Sequence, residues 1–428
     1  MATIPTPPGF HDFYPDDLRV RTYLFEVWRR VARRYGFVEY EAPMVEMTEL
    51  YRRKSGDEIL SQLFHFVDQG GREIALRPEL TPSLARMIAA RPNDFRKPLK
   101  WFEIGQCFRG EKPMRGRRRE FIQFNADILG ESSPAADAEL IALVIDVLQE
   151  LGFGPSDIKF RLSSRTAWQT FLSRHGIEDA DKALAVLGLI DKRERDPHGS
   201  AEKLAALGVD DADVAAFIAD PDNAREALAP ILDDLAARGM GGFVTPDLSI
   251  VRGLAYYTGT VFEIFDAACT MRAVAGGGRY DNLVSLISDG KVDLPAIGFA
   301  MGNIVVLDLI AQGGEAKMRL DAWLQLQCAA DVFVITADED RRADTLATVQ
   351  QLRAAGHATD FSLVPAKFGK QFQAADAVRA TVAVIIGSEY PDLAVKHLSS
   401  RREIKATAGT LLPTVAELLA SPPGPLIA

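Results

Sequence analysis

Two neighbouring segments carry side chains that suit a small polar substrate with negative charge. In VRGLAYYTGTVFEIFD, Arg252 precedes two adjacent tyrosines, Tyr256 and Tyr257. In AVAGGGRYDNL, a glycine loop leads to Arg279 and Tyr280. Aromatic rings with hydroxyl groups offer apolar contact and hydrogen bonds together, and a fixed guanidinium attracts an anionic group. These segments therefore predict one wall of a binding site.

A third segment, LRPELTPSLARM, places a carboxylate and a hydroxyl two residues apart. Alternation along an extended chain would send the side chains of Glu79 and Thr81 to the same face, where both could accept from an ammonium group. Thr81 followed by Pro82 also suits a strand-to-helix turn in which the threonine caps the helix. The two interpretations are compatible, and both stay open from the sequence.

The segment CFRGEKPMRGRRREFIQFNADILG predicts two strands joined by a basic loop. Arg109 and Glu111 are expected on the first strand, and Phe121, Gln123 and Asp127 follow the loop. The loop holds four arginines, namely Arg115, Arg117, Arg118 and Arg119. Such a hairpin suits ATP, because a guanidinium can clamp a phosphate through two hydrogen bonds and an aromatic ring can stack on adenine. A solvated basic loop is the alternative.

The elements around these segments indicate the fold. Residues 17–35 have helical periodicity, and a strand broken at Pro43 follows. A helical block at about 165–240 separates two strand-rich parts, which favours an insertion into a larger antiparallel sheet flanked by helices. The last hundred or so residues alternate strand and helix, which predicts a small α/β domain with a parallel sheet. We therefore expect an α+β fold with domains at about 1–325 and 330–428.

Composition excludes several classes of protein. The 428 residues are 47% hydrophobic and 25% charged, as in globular proteins of more than one domain. No apolar run approaches the ~20 residues of a membrane-spanning helix, and the first residues do not resemble a secretory signal. Three scattered cysteines predict no metal site and suit the reducing cytoplasm. The net charge of −10 argues against general affinity for nucleic acid but allows a local basic surface.

Taken together, these motifs resemble those of the histidyl-tRNA synthetases over almost the whole chain. The basic hairpin resembles motif 2 of class II aminoacyl-tRNA synthetases, and GFVEYEAPMVE resembles motif 1 with Pro43. The two segments of the first paragraph resemble the family's histidine-specific motifs. The C-terminal hundred residues, including AVKHLSSRRE, resemble its anticodon-binding domain. The resemblance implies ATP with Mg²⁺, L-histidine and histidine tRNA as partners, a homodimer, and no prosthetic group.

The resemblance also implies a role for each motif residue. Arg109 and Arg252 would be the catalytic cations at the α-phosphate, while Glu111, Arg117 and Phe121 would hold the rest of ATP. The expected histidine contacts are Glu79, Thr81, Gln123, Asp127, Tyr256, Tyr257 and Tyr280. Gly276, Gly277 and Gly278 would let the backbone approach the substrate. The expected tRNA contacts are Arg115 and Arg118 in the hairpin and the basic run of Lys396, Arg401, Arg402 and Lys405, opposed only by Glu403.

Two positions depart from the family pattern and keep a rival open. Val305 stands where the motif 3 helix would carry an arginine for the γ-phosphate, and Ala255 stands where an aspartate is expected. The missing arginine favours a synthetase-like regulatory subunit of ATP phosphoribosyltransferase, which is not an enzyme. The complete C-terminal domain, Arg109, Gln123 and Arg252 favour the synthetase. Another class II synthetase, for proline, threonine or glycine, fits the segment from Arg252 to Tyr257 less well.

Overall fold

The computed structural model describes residues 4–55, 57–114, 116–193, 196–251 and 257–421. The chain divides into two compact units, Met1–Asp321 and Ala322–Ala428. The described helices include none that is long and apolar enough to cross a membrane.

The strands of the first unit are β1 (Val38–Glu39), β2 (Val45–Met47), β3 (His65–Val67), β4 (Glu73–Leu76), β5 (Leu99–Phe108), β6 (Glu120–Leu129), β7 (Ile158–Ser164), β8 (Val244–Pro246), β9 (Thr260–Asp266), β10 (Ala275–Arg279) and β11 (Ala296–Gly302). Its helices are α1 (Pro15–Arg34), α2 (Thr48–Ser55), α3 (Thr81–Ala90), α4 (Pro134–Leu151), α5 (Arg165–Arg174), α6 (Ala180–Lys192), α7 (Pro197–Ala206), α8 (Asp211–Ala219), α9 (Pro221–Ala237), α10 (Leu283–Ile287), α11 (Asn303–Ile310) and α12 (Gly314–Leu326), the last of which ends in the second unit.

Among the described residues, eight strands form one large sheet in the order β1-β5-β6-β11-β10-β9-β7-β8. Every neighbouring pair is antiparallel except β1 with β5 and β7 with β8 at the two edges. The predicted antiparallel sheet is therefore confirmed. The glycine run before Arg279, expected as a loop, is strand β10 in the middle of this sheet.

Helices α1 and α4 cover one face of the large sheet. Trp28 of α1 stacks on Phe124 of β6 with ring centroids 5.3 Å apart, and both rings are fully buried. Because side chains alternate along a strand, Gln123, Asn125 and Asp127 point to the opposite face. The apolar stripe of α1 is thus buried inside the unit.

Helices α5 to α9 form the helical block predicted at about 165–240. They surround a core of their own that includes Trp168, Phe171 and Phe217. The block enters after β7 and the chain returns through β8 to the same edge of the large sheet. A smaller sheet of order β2-β4-β3 lies earlier in the chain.

The second unit contains β12 (Val332–Thr336), α13 (Arg342–Ala354), β13 (Thr359–Phe361), α14 (Phe368–Ala377), β14 (Val382–Ile386), β15 (Asp392–His397), β16 (Glu403–Thr407) and α15 (Leu411–Leu419). Its sheet has the order β13-β12-β14-β15-β16. The first three strands are parallel, as expected. The run AVKHLSSRRE, however, forms part of an antiparallel hairpin, β15 and β16, that extends the sheet.

Candidate active site

A cavity of about 660 Å³ lies on the face of the large sheet opposite α1 and α4. Strand β6 carries Phe121, Gln123, Asn125 and Asp127 along this face, from one end of the cavity to the other. On the neighbouring β11, Gly302 pairs with Gln123 and Gly298 pairs with Asp127. Four residues of strand span about 13 Å. We call these two places the Gly302 end and the Asp127 end of the cavity.

Asp127 lies beneath the floor of the cavity and is fully buried. The Tyr280 hydroxyl donates a hydrogen bond to Asp127 Oδ1, whereas Oδ2 is buried and has no hydrogen-bond partner in the described part of the chain. Burial raises the pKa of Asp127 to about 7, although the Tyr280 hydrogen bond opposes this rise. A buried carboxylate with one open oxygen is costly to keep unless a ligand donates to it.

Glycine at position 298 makes room for this carboxylate. A Cβ on Gly298 would lie 1.8 Å from Asp127 Oδ1 and 3.1 Å from the Tyr280 ring. Tyr257 lines the cavity at the same end, and its ring would meet a Cβ on Gly278 at 3.0 Å. Tyr257, Tyr280 and Asp127 therefore surround one small polar space, with Gly298 forming its floor.

Glu79 lines the cavity and is held ionised by two cations. Lys54 Nζ, from helix α2, donates to Glu79 Oε1 at 2.5 Å, and the lysine is only 7% exposed. Burial alone would raise the pKa of Glu79, but Lys54 and then Arg109 outweigh it and hold the pKa below its usual value. The carboxylate is thus fixed in its anionic form. Glu79 was predicted from its motif. Lys54 was not predicted, because it lies 25 residues away along the chain and no local pattern links it to Glu79.

Thr81 begins helix α3, and its hydroxyl faces the cavity. Leu80 occupies the cap position and makes no side-chain cap hydrogen bond, so capping does not employ Thr81. Instead Thr81 Oγ1 accepts from Asn125 Nδ2 at 3.2 Å. Asn125 Oδ1 is buried without a hydrogen-bond partner among the described residues. Sequence analysis missed Asn125, although alternation with Gln123 and Asp127 along β6 would have identified it.

Arg109 lies at the Gly302 end, just beyond the last residue of β5. Its Nε donates to Pro78 O at 3.1 Å, and its guanidinium lies 5.2 Å from the centre of the Phe121 ring. Glu111 and Arg117 form an ion pair across the hairpin loop, and both line the cavity. The expected strand positions of Arg109 and Glu111 are wrong, because β5 ends at Phe108 and both residues follow it.

The structure brings most of the predicted residues to one cavity. Its lining includes Glu79, Thr81, Arg109, Glu111, Arg117, Arg118, Phe121, Gln123, Tyr257 and Tyr280. Arg118 also lies over the Phe13 ring, 5.9 Å from its centre. Arg115, Arg252 and Tyr256 fall outside the described residues. Sequence analysis did not single out Arg161, Glu263 and Arg272, which also line the cavity.

The glycine run and Arg279 support the site from behind. A Cβ on Gly277 would lie 2.3 Å from Gly298 O, and one on Gly278 would lie 2.6 Å from Thr260 O. These two glycines therefore allow neighbouring strands to approach, and only Gly276 of the run lines the cavity. Arg279 Nε donates to Asp137 Oδ1 of α4 at 3.0 Å. This buried ion pair fixes β10, which ends immediately before Tyr280.

The basic run of the second unit does not form one face. Lys396 Nζ lies 5.9 Å from the Phe372 ring of α14. Lys405 pairs with Ala394, two residues before Lys396 on β15, so both lysines point to the same side of the sheet. Arg402 instead forms an ion pair with Glu417 of α15 on the other side, and Arg401 is exposed in the turn. The expectation that only Glu403 opposes this run is wrong, because the fold adds Glu417. Strand alternation separates charges that are adjacent in sequence.

An antiparallel sheet that carries an arginine beside an aromatic ring at one end of a cavity, and a buried carboxyl group at the other, matches the arrangement expected above for a class II aminoacyl-tRNA synthetase. A model of the family described as histidyl-tRNA synthetase matches residues 9–303. The chain is 41% identical to the histidine–tRNA ligase of Opitutus terrae over 96% of this chain and 97% of that protein. The chain belongs to the histidyl-tRNA synthetase family.

Two further comparisons agree. The chain is 37% identical to the chloroplastic/mitochondrial histidine–tRNA ligase of Arabidopsis thaliana, over 95% of this chain and 85% of that one. A crystal structure of histidyl-tRNA synthetase from a Nostoc species superposes with a TM-score of 0.76, covering 97% of this chain and 100% of the other. At 24% identity this second likeness concerns the fold. The predicted family, fold class and enzyme class are confirmed.

Proposed function

We propose that the chain activates L-histidine with ATP and then transfers the histidyl group to the 3′ end of histidine tRNA, both in the cavity of the first unit. The observation that carries this proposal is the order of side chains along β6. Phe121 and Gln123 lie at the Gly302 end with Arg109 nearby, Asn125 lies between the two ends, and Asp127 lies at the far end. ATP bound at the Gly302 end and histidine bound toward the Asp127 end would contact these side chains in this order.

At the Asp127 end the site suits the imidazole ring. Asp127 Oδ2 offers an acceptor for a ring N–H, and Tyr257 and Tyr280 offer hydroxyl groups beside it. A site built for a polar ring rejects apolar mimics, because they would leave its buried groups unpaired. We assign Tyr256 to the same pocket on the resemblance alone.

Between the two ends the site suits the α-ammonium group. Glu79 is held anionic by Lys54, and Thr81 and Gln123 supply further acceptors nearby. An ammonium group placed there would leave its carboxylate directed toward Arg109. A guanidinium is well suited to hold both a carboxylate and a phosphate, because it donates several hydrogen bonds in a plane.

At the Gly302 end we place ATP, with its adenine against Phe121 and its phosphates near Arg109, Glu111 and Arg117. A carboxylate oxygen of histidine bonds to the α-phosphorus, the bond from that phosphorus to the bridging oxygen breaks, and pyrophosphate leaves with the electron pair. The carboxylate is already ionised, so orientation and positive charge supply the catalysis. We assign Arg252 a role at the α-phosphate on the resemblance.

Mg²⁺ would enter this site with ATP. It would neutralise charge on the phosphates, and Glu111 and Glu263 are the carboxylates on the cavity wall that could approach it. The described residues include no group of three or more His, Cys, Asp or Glu arranged to hold a metal on their own. The donor set thus fits an ion carried mainly by phosphate oxygens.

We propose that residues 1–325 form the catalytic domain and that 330–428 bind the anticodon region of the tRNA. Lys396, Lys405 and Arg401 would contact its backbone, and Arg115 and Arg118 would guide its acceptor end. The basic side chains of the second unit lie on both sides of its sheet. Variants on the two sides, compared in tRNA charging, identify the side that binds tRNA. Cytoplasmic translation, in which this reaction takes part, suits the three free cysteines.

We also propose a homodimer, supported by an exposed apolar row on the smaller sheet. Met47, Ile74 and Phe66 lie directly opposite one another on β2, β4 and β3. Met47 and Phe66 are 47% and 49% exposed, and Val45 on the same side is 40% exposed. This sheet begins inside the motif 1 segment, so a second copy of the chain is its expected partner. An obligate interface of this kind would bury more than ~2,000 Å².

The deciding experiment is histidine-dependent exchange of labelled pyrophosphate into ATP. An active synthetase exchanges label without tRNA, and omission of histidine should abolish the exchange. Absence of exchange in a folded protein would instead favour the regulatory subunit. Charging of histidine tRNA by the same preparation then tests the second step, with a non-cognate tRNA as its control.

A further inference from the structure

The wall of the cavity formed by β11 and α11 at the Gly302 end is uncharged. Gly302, Ile304 and Val305 line it, and Val305 is a buried apolar side chain, 7% exposed. If ATP binds as proposed above, its outer phosphates reach this end. Phosphates need positive charge within hydrogen-bond reach, and this wall supplies none from its described lining residues.

Arg272 reaches the same place from another element. It lies in the turn between β9 and β10, lines the cavity and is exposed to solvent. A Cβ built on Gly116, in the hairpin loop, would lie 3.5 Å from Arg272 Cδ and 3.8 Å from Val305 Cγ2. The stem of Arg272 and the side chain of Val305 therefore approach the same point next to Gly116, in the loop that carries Arg117.

The turn that carries Arg272 is firmly anchored on both sides. The buried carboxylate of Asp266 accepts from Thr270 N at 3.0 Å and from Met271 N at 2.8 Å. Val274 N donates to Ile264 O at 2.7 Å on the far side. Arg272 thus extends from a fixed backbone, which lowers the entropy cost of holding a ligand.

Four other arginines also line the cavity, namely Arg109, Arg117, Arg118 and Arg161. Arg117 pairs with Glu111, and Arg161 Nε donates to Asp247 Oδ2 at 2.7 Å. Arg109 lies between Pro78 O and the Phe121 ring, where it would meet the α-phosphate. Arg272 differs from them in coming from the turn between β9 and β10 and in approaching the same point beside Gly116 as Val305.

The geometry points to Arg272 as the residue that binds the outer phosphates of ATP and stabilises pyrophosphate as it leaves. This inference rests on the proposed adenylation reaction. The turn between β9 and β10 would supply the positive charge for the outer phosphates, which the cavity-lining residues of β11 and α11 do not supply. A guanidinium near the β- and γ-phosphates would meet the negative charge that increases there when the bond to the α-phosphorus breaks.

The test compares Arg272→Ala, Arg272→Lys and the control Arg174→Ala, which changes an exposed arginine at the end of α5. We expect Arg272→Ala to raise the KM for ATP in exchange, and the KM for pyrophosphate in the reverse reaction, by about ten- to a hundred-fold. The KM for histidine should stay within about twofold, because the Asp127 end is untouched. Arg272→Lys should be intermediate, since it keeps the charge and loses the planar donor pair.

Direct binding of ATP and of inorganic pyrophosphate, measured by calorimetry, separates this inference from the proposed reaction. Wild-type protein that binds both more tightly than Arg272→Ala supports the role of Arg272 even if exchange is absent. Wild-type exchange with unchanged ATP and pyrophosphate constants in Arg272→Ala would overturn the inference and leave the reaction standing. Equal losses for histidine and ATP would show a structural role and would also overturn it.

Discussion

The Tyr280 hydroxyl donates a hydrogen bond to one oxygen of Asp127, and the second oxygen of that carboxylate is buried with no hydrogen-bond partner in the described part of the chain. The two residues come from different parts of the sequence and meet below Gly298. We propose that this second oxygen accepts from a ring N–H of histidine. It makes the pair the natural place to test how the chain recognises histidine.

Replacing Asp127 with Asn should weaken histidine binding and leave ATP binding nearly unchanged. The variant keeps the size of the side chain but loses the negative charge that accepts from the imidazole. Loss of one hydrogen bond to a charged group corresponds to about ten- to a hundred-fold in the KM for histidine. Pyrophosphate exchange with each substrate varied in turn measures both constants. Tyr280→Phe, which keeps the carboxylate, is the control and should lose less; equal losses for ATP and histidine would contradict the role.

The same carboxylate should make stability depend on pH. Because burial raises the pKa of Asp127 from 3.8 to about 7, the folded chain holds a proton between these values that the unfolded chain has lost. The free energy of unfolding should therefore fall as pH rises through this window and level off above it, by a total on the order of a few kcal/mol.

Thermal unfolding at about pH 5 and about pH 8 tests this sign. The midpoint of the wild-type protein should fall relative to that of Asp127→Asn on going to the higher pH, since asparagine does not titrate. A constant difference between the two proteins across this range would mean that the carboxylate is not protonated in the folded state near neutrality.

Replacing Gly298 with Ala should disrupt the Asp127 end of the cavity. The added methyl group would lie 1.8 Å from Asp127 Oδ1, so the carboxylate or the strand must move. Overpacking of this kind costs about 1–3 kcal/mol, and histidine affinity should fall with it. Gly302→Ala is a matched control for stability, because a methyl group there meets no atom within 4 Å. Differential scanning calorimetry would compare the two; equal midpoints would show that the floor adapts.

The apolar row on the smaller sheet should control dimerisation. Phe66→Glu places a charge on an exposed ring position opposite Ile74, where a partner surface would have to desolvate it. Sedimentation equilibrium at micromolar concentration should show a dimer for the wild-type chain and a shift toward monomer for the variant. Leu363→Glu, at a 79% exposed position in the second unit, is the control and should leave the mass unchanged. A monomeric wild-type chain would contradict the proposal.

The two sides of the second sheet can be compared directly in tRNA charging. If the α14 side binds tRNA, changing Lys396 and Lys405 to Glu should raise the KM for histidine tRNA and lower the salt dependence of charging. Arg402→Ala on the α15 side should then have little effect. Exchange without tRNA should be unchanged in both variants. The reverse ranking would assign tRNA to the α15 side, and no effect from either would remove this hairpin from the interface.

Much of the fold followed from local patterns in the sequence. The helical block at about 165–240 was predicted because its composition differs from the strand-rich parts on either side, and α5 to α9 confirm it. Phe121, Gln123 and Asp127 were expected on the strand that follows the basic loop, and β6 confirms that strand. The glycine run was misjudged as a loop, because its close contacts come from adjacent strands that local sequence does not reveal.

Sequence alone determined the family, the antiparallel sheet and many of the residues that line the cavity, since each depends on motif identity or short-range periodicity. Only the tertiary structure decided which of them interact. Lys54 holds Glu79 ionised from a separate helix, and Asp127 has a raised pKa because distant strands bury it. Arg272 and Val305 approach the same point next to Gly116. Charge, burial and pKa are properties of neighbours in space, and long-range packing sets those neighbours.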